Sequence, residues 1–536
     1  RPVSSQTRHA VYDALPVVYP DVFPGAGAAS LDLTPTAQAR TEIGELLVSR
    51  DFDGWSEALS RVENCAHPIR LHGSSETVDR ATGEIVSSYA SSREPFGVTH
   101  IRCGNRRASE CPSCSRLYAA DMFHLIRAGV SGGKTVPESV ADNPLVFATV
   151  TAPSFGRVHG RRDQGRRCHP HIRGAPLCPH GRPATCLAQH APGDPALGQP
   201  LCRKCYDYCS HVVWQWWAPD LWRRVTITLH RLVAHTLGVR ATRLGEVATV
   251  QYAKVAEYQL RGVVHFHALV RLDGPRTVDG FAAAPAGMDA DMLAALVGEA
   301  ALSVRLTVPG VDAADRPRVL AFGRQIDARP VRTSRRTDDP GRNLTPEQVA
   351  GYLAKYATKS ADDTGATDNP HHRRIRATTR ILAERAHAAA RKTNASESPY
   401  ELLGKWVHML GFRGHFASKS RRYSVTLGAL RRARRRAQAL IADSRANGRP
   451  LDLAALEADL LADDENETTL VVGHWQYVSS GWATEGQRVL AMAAAARARE
   501  YDRWKAEQRR SSQTSGARTC DGFEDGRPAL VGSRCQ

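Results

Sequence analysis

Residues 261–274 read "RGVVHFHALVRLDG" and place His265 and His267 on either side of one phenylalanine in an otherwise apolar run. The β-branched and aromatic residues of this run predict a strand. Because alternate residues of a strand point to the same face, the two imidazoles lie side by side and the phenylalanine points the other way. Two imidazoles on one face can hold one divalent metal ion, provided that a third ligand approaches them.

The third ligand is expected on the strand that precedes the histidines. This strand is predicted over residues 247–260, and a tight turn joins it to the histidine strand, residues 262–272. It offers Glu257 and Gln259 to the same site. Two histidines and one carboxylate leave coordination positions open, so the set suits catalysis more than a structural role. The alternative is a strand whose imidazoles bond only to backbone or solvent.

A second candidate element is the segment "GYLAKYATK", residues 351–359. In a helix, Tyr352 and Tyr356 are spaced i, i+4 and lie on one face, which Lys359 shares. A phenol is a reasonable nucleophile only if its target is activated and the developing charge is neutralised. A phosphodiester polarised by a metal ion is such a target. The alternative is the ordinary packing of an amphipathic helix.

The charge of the chain indicates a polyanionic partner. Its 536 residues suffice for two or three domains, and the hydrophobic fraction of 42% is ordinary for a globular protein. Lys and Arg number 72 against 55 Asp and Glu, which gives a formal net charge of +17. This balance favours nucleic acid or an anionic membrane surface as the partner.

No membrane segment is predicted, because no run supplies the roughly 18 apolar residues that a membrane span needs. The N-terminal residues also lack the charged-then-apolar order of a signal peptide. We therefore expect a cytoplasmic protein whose 12 cysteines are reduced.

Two groups of cysteines have spacings that are typical of zinc sites in a reducing compartment. The first group supplies only three cysteines, so a fourth ligand is needed, either Cys168 or a histidine. Alternatively, the C-x-x-C knuckles of the two groups share one ion. His180 and His190 are interleaved with the second group. The alternative is a set of scattered free thiols. The predicted zinc ligands are Cys103, Cys111 and Cys114 in the first group, and Cys178, Cys186, Cys202 and Cys205 in the second.

A basic segment, "GHFASKSRRYSVTLGALRRARRRAQAL", covers residues 414–440 and is expected to be helical from about Thr426. Its arginines spread over more than one helix face, so we expect them to contact DNA phosphates. A solvated run of charge is the alternative, and membrane binding is a weaker one. The arginines are Arg421, Arg422, Arg431, Arg432, Arg434, Arg435 and Arg436.

These motifs together resemble a known family. His265-Phe-His267 is similar to the HUH motif of metal-dependent single-strand endonucleases. The tyrosine and lysine pattern Y-x-x-x-Y-x-x-K of residues 352–359 is similar to the motif of two-tyrosine rolling-circle initiators. The strand "LVFATVTAPSFG", residues 145–156, resembles the first motif of the family, and the three occur in the family's order.

More closely, the chain resembles the replication initiators of actinobacterial plasmids and integrative elements. The likeness rests on "CPSCSRLYAAD", "CRKCYDYCSHVVW" and "GHFASKSRRYSVTLGALRRAR", and it spans about residues 100–435. It implies a protein associated with plasmid DNA in the cytoplasm, acting on a double-stranded origin and its hairpin single strand. A host helicase and the host replication machinery are further implied partners.

The resemblance implies an α+β fold, in which an HUH endonuclease domain has a central antiparallel β-sheet flanked by helices. An N-terminal accessory region would cover residues 1–100 and the endonuclease domain residues 101–375. A zinc-binding insertion at about residues 160–210 would interrupt that domain. A helical, basic DNA-binding region at 376–510 and a disordered tail at 511–536 would follow.

The resemblance also implies a mechanism of DNA nicking. Mg²⁺ or Mn²⁺ held by His265, His267 and Glu257 would polarise the scissile phosphate. One tyrosine, which we expect to be Tyr356, would attack and form a 5′-phosphotyrosyl link with a free 3′-OH. Tyr352 would act at termination, and Lys359 would supply a fixed positive charge.

Two rival interpretations stay open on the sequence. The first has the same DNA-nicking chemistry but another biological role, that of a two-tyrosine transposase or a conjugative relaxase. The second is a non-catalytic, zinc-containing DNA-binding regulator in which the histidines and tyrosines only pack.

Overall fold

The structure is a computed structural model. The residues that it describes are 35–94, 96–133, 136–162, 166–169, 177–278, 280–331, 349–351, 353–354, 369–393, 398–450 and 469–518. The strands are β1 (Ile69–Asp79), β2 (Ile85–Ala90), β3 (Thr99–Ile101), β4 (Leu145–Val150), β5 (Thr249–Tyr258), β6 (Val264–Asp273), β7 (Arg276–Thr277), β8 (Gly280–Phe281), β9 (Leu306–Val308), β10 (Arg318–Leu320), β11 (Ile326–Pro330), β12 (Ala417–Lys419) and β13 (Thr469–Ser480).

The α-helices bounded at both ends within these ranges are α1 (Ala37–Val48), α2 (Phe52–Arg61), α3 (Pro112–Ser131), α4 (Tyr208–Thr236), α5 (Ala290–Ser303), α6 (Pro370–Thr393), α7 (Leu427–Ala446) and α8 (Glu485–Arg518). No helix in the described part of the chain is both long and apolar enough to cross a bilayer.

The chain forms two compact units. The larger unit takes its described residues from between Ser115 and Thr468, whereas the smaller one combines residues up to Cys114 with those from Thr469 onward. These limits differ from the predicted boundaries at residues 100 and 375, because contacts with distant segments group the residues and sequence composition does not reveal such contacts.

The larger unit is built on a five-stranded antiparallel sheet in the order β11-β4-β6-β5-β12. The sheet places the two predicted long strands, β5 and β6, next to each other in its middle. A turn joins them in which Gln259 N donates to Val263 O at 2.9 Å, and Gly262 adopts a φ of +75° that suits glycine. The mixed α/β architecture with antiparallel sheets agrees with the predicted α+β class.

Both faces of this sheet are buried, which explains the almost continuous apolar sequence of β6. On one face Phe266 packs edge-on against Trp222 of α4, with ring centroids 5.8 Å apart, inside the largest hydrophobic cluster. On the other face Val255 and Leu269 belong to a second cluster that includes Ile126 of α3. The two clusters hold the sheet between layers of helices.

Pro219 in the sequence predicts two helices, but α4 runs unbroken through it. Proline cannot donate to the carbonyl four residues earlier, so a break was the natural expectation. Arg413 contacts the helix next to this position: its Nε donates to the Trp216 carbonyl at 3.0 Å, and its guanidinium pairs with Asp220 and stacks on the Trp216 ring. A segment distant in sequence therefore packs on the helix at the turn that contains the proline.

Three other predicted elements have different limits. The sequence of residues 41–62 predicts one helix, but the structure has α1 and α2 there, because Ser49 is extended and its hydroxyl donates to Leu46 O, which ends α1. The sequence of residues 317–331 predicts one strand, but the structure has β10 and β11, and between them the carbonyl of Ala321 accepts the Trp214 indole N–H. Helix α8 continues to Arg518, beyond the start of the predicted tail.

The smaller unit joins sequence segments about four hundred residues apart. Strand β1 pairs with β13 along its whole length, from Ile69 opposite Ser480 to Asp79 opposite Thr469, and also with β2 and β3. Helix α8 packs on α1, where Gly486 N donates to a Glu42 carboxylate oxygen at 2.7 Å.

Lys254 is a buried cation in the larger unit. It lies on β5, and only 4% of it is exposed. Its Nζ stands 4.4 Å from the centre of the Phe266 ring. Burial lowers the pKa of Lys254 to about 7. An unfolded lysine keeps its proton up to about pH 10.4, so the stability of the protein should rise with pH between these two values.

We expect Lys254→Met to raise the free energy of unfolding by about 3 kcal/mol at pH 7. At pH 9 the gain in free energy of unfolding should be about 2 kcal/mol smaller than at pH 7. The variant removes the cost of burying the charge, a cost that the wild-type protein itself avoids at high pH. Urea unfolding at the two pH values measures both quantities. The exposed Lys405→Met is the control and should change neither; an equal gain at both pH values would contradict the assignment.

Candidate metal centre and nucleic-acid interface

Glu257, His265 and His267 meet at one point on the central sheet. The register of β5 and β6 puts Glu257 directly opposite His265, and alternation along β6 brings His267 to the same face. One Glu257 carboxylate oxygen lies 2.8 Å from His265 Nε2 and 3.2 Å from His267 Nε2. The side chains are 12%, 15% and 3% exposed respectively, so the group is largely enclosed and keeps an opening on the Glu257–His265 side.

The neighbouring strand β4 orients His267. Thr149 lies opposite His267 in the ladder, and its Oγ1 is 3.0 Å from His267 Nδ1. The Phe147 ring stacks on the imidazole with centroids 5.7 Å apart. Without a metal ion, the Nε2–H of His267 donates to Glu257, and Nδ1 accepts from the Thr149 hydroxyl. A metal ion at Nε2 would select the other tautomer, in which Nδ1 carries the proton and donates to Thr149. Sequence reasoning identified β4 but missed both residues; the alternation of Phe147 and Thr149 with buried residues was the available signal.

The electrostatics of the group favour cation binding at neutral pH. Burial alone would raise the pKa of Glu257, but the hydrogen bonds with His265 and His267 outweigh it and the pKa lies below its ordinary value. Burial lowers the pKa of His267. The site therefore presents an ionised carboxylate and a neutral imidazole. Ligands bound side by side on an octahedral Mg²⁺ at about 2.1 Å lie about 3.0 Å apart, close to the separations here.

The predicted nucleophiles Tyr352 and Tyr356, with Lys359, lie outside the described residues. Two residues near Tyr352, Leu353 and Ala354, are helical and fully buried. They belong to the hydrophobic cluster on the sheet face that also carries the metal ligands. These two residues of the tyrosine motif are therefore packed against the side of the sheet on which the candidate metal centre lies.

The basic segment divides into exposed and internally paired arginines. Helix α7 begins at Leu427, close to the predicted start at about Thr426, and the Thr426 hydroxyl accepts from Ala429 N at 3.1 Å. Arg434 forms an ion pair with Asp121, whose side chain is 4% exposed, so Arg434 ties α7 to α3. Arg432 and Arg436 are half-buried. The exposed members of the predicted set are Arg421, Arg422, Arg431 and Arg435.

The first cysteine group is completed by a residue that the sequence analysis missed. Cys65 joins Cys103, Cys111 and Cys114 in the smaller unit, in place of the expected Cys168 or a histidine. Three of the sulfur pairs are 3.6, 3.6 and 3.8 Å apart. A tetrahedral zinc ion with bonds of about 2.3 Å places sulfurs about 3.8 Å apart, so the group has the geometry of a zinc site. The signal for Cys65 was only that it is a cysteine, 38 residues before Cys103.

The second cysteine group separates into two clusters in the larger unit. Cys178, Cys202 and Cys205 lie together with His180. Cys186 instead lies with Cys168 and two histidines, His159 and His190. The expected C-x7-C-x15-C-x2-C grouping is thus wrong for Cys186, and the C-x-x-C knuckles of the first and second groups do not come together. Spacing alone does not show which loops fold onto each other.

The described residues of this basic protein thus combine a candidate metal centre on a central antiparallel sheet with a set of exposed arginines. The comparisons with known proteins name its family. The chain belongs to the family of replication initiator proteins described as "RepSA: Replication initiator protein, pSAM2", whose model matches residues 51–496. It is 40% identical over 474 residues to a replication initiator protein of Streptomyces ambofaciens, covering 85% of this chain and 93% of the relative. No solved structure matches the chain.

We expect Thr149→Val to weaken Mn²⁺ binding about 10- to 100-fold, because His267 loses the partner that orients its ring. Electron paramagnetic resonance titration of free Mn²⁺ measures the affinity. Thr307→Val, on an exposed position of β9, is the control and should leave it unchanged. Unaltered Mn²⁺ affinity in Thr149→Val would contradict the orienting role.

Proposed function

We propose that this protein initiates rolling-circle replication by nicking one strand of an origin and joining itself to the 5′ end. The observation that carries the proposal is the convergence of Glu257, His265 and His267 on adjacent central strands, with an opening to one side. Membership of a replication initiator family supports replication over transposition or conjugative transfer as the setting.

The proposed reaction is a transesterification that uses the residues of the tyrosine motif. A divalent ion, Mg²⁺ or Mn²⁺, held by Glu257, His265 and His267, would supply Lewis-acid polarisation of the scissile phosphate. The Tyr356 hydroxyl loses its proton and forms a bond to phosphorus, and the bond from phosphorus to the 3′ oxygen breaks. The departing oxygen takes up a proton and becomes the 3′-OH primer. One phosphodiester is exchanged for another, so no ATP is consumed.

Further residues complete this proposal. Lys359 would neutralise charge that develops on the phosphate. Tyr352 would attack at the regenerated site and release the closed circle. The burial of Leu353 and Ala354 against the metal-bearing side of the sheet supports a position for this motif close to the candidate metal centre. Unwinding of the duplex would be the task of a host helicase.

Two additional parts of the chain have proposed roles outside the nicking site. The exposed arginines of the basic segment would bind the phosphates of origin DNA, while Arg434, paired with Asp121, would hold α7 in place. The Cys65, Cys103, Cys111 and Cys114 group would bind a structural Zn²⁺ that joins the N-terminal helices to the start of α3.

Covalent attachment tests the nicking proposal. We expect wild-type protein with Mn²⁺ to form a denaturation-resistant adduct with single-stranded fragments of its own origin, seen on a denaturing gel. Tyr356→Phe should lose most of the adduct that accompanies initiation, and the double variant with Tyr352→Phe should form none, because no phenol remains. His265→Ala should also form none, as the metal loses a ligand.

Tyr477→Phe is the matched control, because Tyr477 is an exposed tyrosine of the smaller unit, and it should react like the wild type. Salt-sensitive DNA binding without an adduct from any origin fragment would contradict the proposal. That result would favour a non-catalytic DNA-binding regulator instead.

The basic segment generates a separate expectation for DNA binding. Arg431→Ala combined with Arg435→Ala should reduce the slope of log K against log salt by about 2 for a short duplex, since two phosphate contacts are lost. Fluorescence anisotropy over a salt series measures the slope. The control is Arg243→Ala with Arg329→Ala, two exposed arginines in surface ion pairs. An unchanged slope would show that α7 is only a solvated face.

A further inference from the structure

In the segment between β4 and α4, eight of the histidines and cysteines form two clusters of four. Each cluster has its ligand atoms within 4.8 Å of one another. The clusters take their members alternately in pairs along the chain: the first and third pairs form one cluster, and the second and fourth pairs form the other. In chain order the pairs are His159 and Cys168, Cys178 and His180, Cys186 and His190, and Cys202 and Cys205.

The first cluster has the geometry of a tetrahedral site. His190 Nε2 lies 3.2 Å from His159 Nδ1 and 3.5 Å from Cys186 Sγ. The backbone N–H of Gly160 donates to Cys168 Sγ at 3.2 Å, a bond that stabilises a thiolate. These separations match those of nitrogen and sulfur ligands around one zinc ion.

Asp194 provides an independent indication of a metal at this cluster. Its carboxylate lies 2.6 Å from His190 Nδ1, on the side of the ring opposite the cluster. Histidines that bind a metal through one nitrogen commonly donate the other N–H to a carboxylate, which fixes the tautomer and strengthens the ligand. The pairing of His190 with Asp194 leaves Nε2 as a lone-pair donor toward the other three ligands.

The second cluster is formed by two tight turns. His180 Nδ1 lies 3.3 Å from Cys205 Sγ and 3.9 Å from Cys202 Sγ. Cys178 N donates to Arg182 O at 2.8 Å, and Gly181 has a φ of +70°, so the first turn needs a glycine. Cys205 N donates to Cys202 O at 3.2 Å and closes the C-x-x-C turn. The turns direct their ligands to a common point.

We propose that this segment is a cross-braced module that binds two Zn²⁺ ions, one with two cysteines and two histidines and the other with three cysteines and one histidine. On binding, the five thiols lose their protons to solvent and the histidines coordinate as neutral rings. The interleaved pairs mean that each ion closes a loop that contains ligands of the other. Loss of either ion would therefore release both loops.

The module is mounted on the hairpin that carries the candidate metal centre. The backbone of Gly198 packs so closely on the carbonyl of Leu260, in the β5–β6 turn, that a Cβ at this position would lie 2.3 Å from that oxygen. At the module's base, Val158 pairs with Pro200 in a single bridge. The module thus braces the turn that sets the positions of Glu257 and His265 on their strands.

Metal analysis of the purified full chain tests the module without any assay of nicking. We expect three zinc ions per wild-type chain, two in the module and one at Cys65, Cys103, Cys111 and Cys114. Cys168→Ser and Cys202→Ser, which each remove one ligand from a different cluster, should both lower the content to about one. Cys65→Ser should lower it to two, and Cys209→Ser, a half-buried cysteine outside the clusters, should leave it at three.

X-ray absorption at the zinc edge is measured on the wild-type protein, so this test does not depend on whether a variant folds. The proposal expects an average of three sulfurs and one nitrogen per ion, from nine cysteines and three histidines around three ions. An all-sulfur environment would overturn it, as would a content below two in Cys65→Ser, where only the module can hold zinc. A content of two in Cys168→Ser or Cys202→Ser would overturn the interlocked arrangement. Failure of DNA nicking with these zinc results intact would affect only the proposed function.

Discussion

The pairing of β5 with β6 is the constraint on which the candidate site depends. Because side chains alternate along a strand, a slip of one residue would turn Glu257 away from His265 and move Phe266 out of the core. The register is held at its end by the turn with Gly262 and on both faces by buried apolar residues. The same packing that stabilises the sheet therefore brings the three candidate metal ligands together.

The parts of the fold that depend on local pattern could be predicted from the sequence. β-Branched and aromatic content identified the strands, alternation placed His265 and His267 on one face, and the turn indicated Glu257 as their neighbour. Thr149 escaped notice because its partnership with His267 crosses to a strand more than a hundred residues away. A lateral neighbour in a sheet depends on strand order, which no local pattern specifies.

The candidate zinc ligands and Pro219 also show that local sequence patterns do not reveal contacts with other segments of the chain. Spacing detects C-x-x-C turns but not which turns share an ion, so Cys186 was grouped wrongly and Cys65 was missed. Pro219 predicts a helix break on local grounds, but α4 continues through it, and Arg413, nearly two hundred residues later, packs on the helix at this turn. In the basic segment, composition did not distinguish Arg434, which pairs with Asp121, from arginines that face solvent. Each case involves a contact between distant segments.

The division of the smaller unit between the two ends of the chain has a consequence for biosynthesis. Strand β1 leaves the ribosome early, but its partner β13 is made only after the whole larger unit. Until then β1 has an open edge where β13 will pair. A chain that is terminated early can thus complete its central sheet while leaving the smaller unit unfinished. The β1–β13 pairing can therefore be completed only in a chain that has been synthesised at least as far as Ser480.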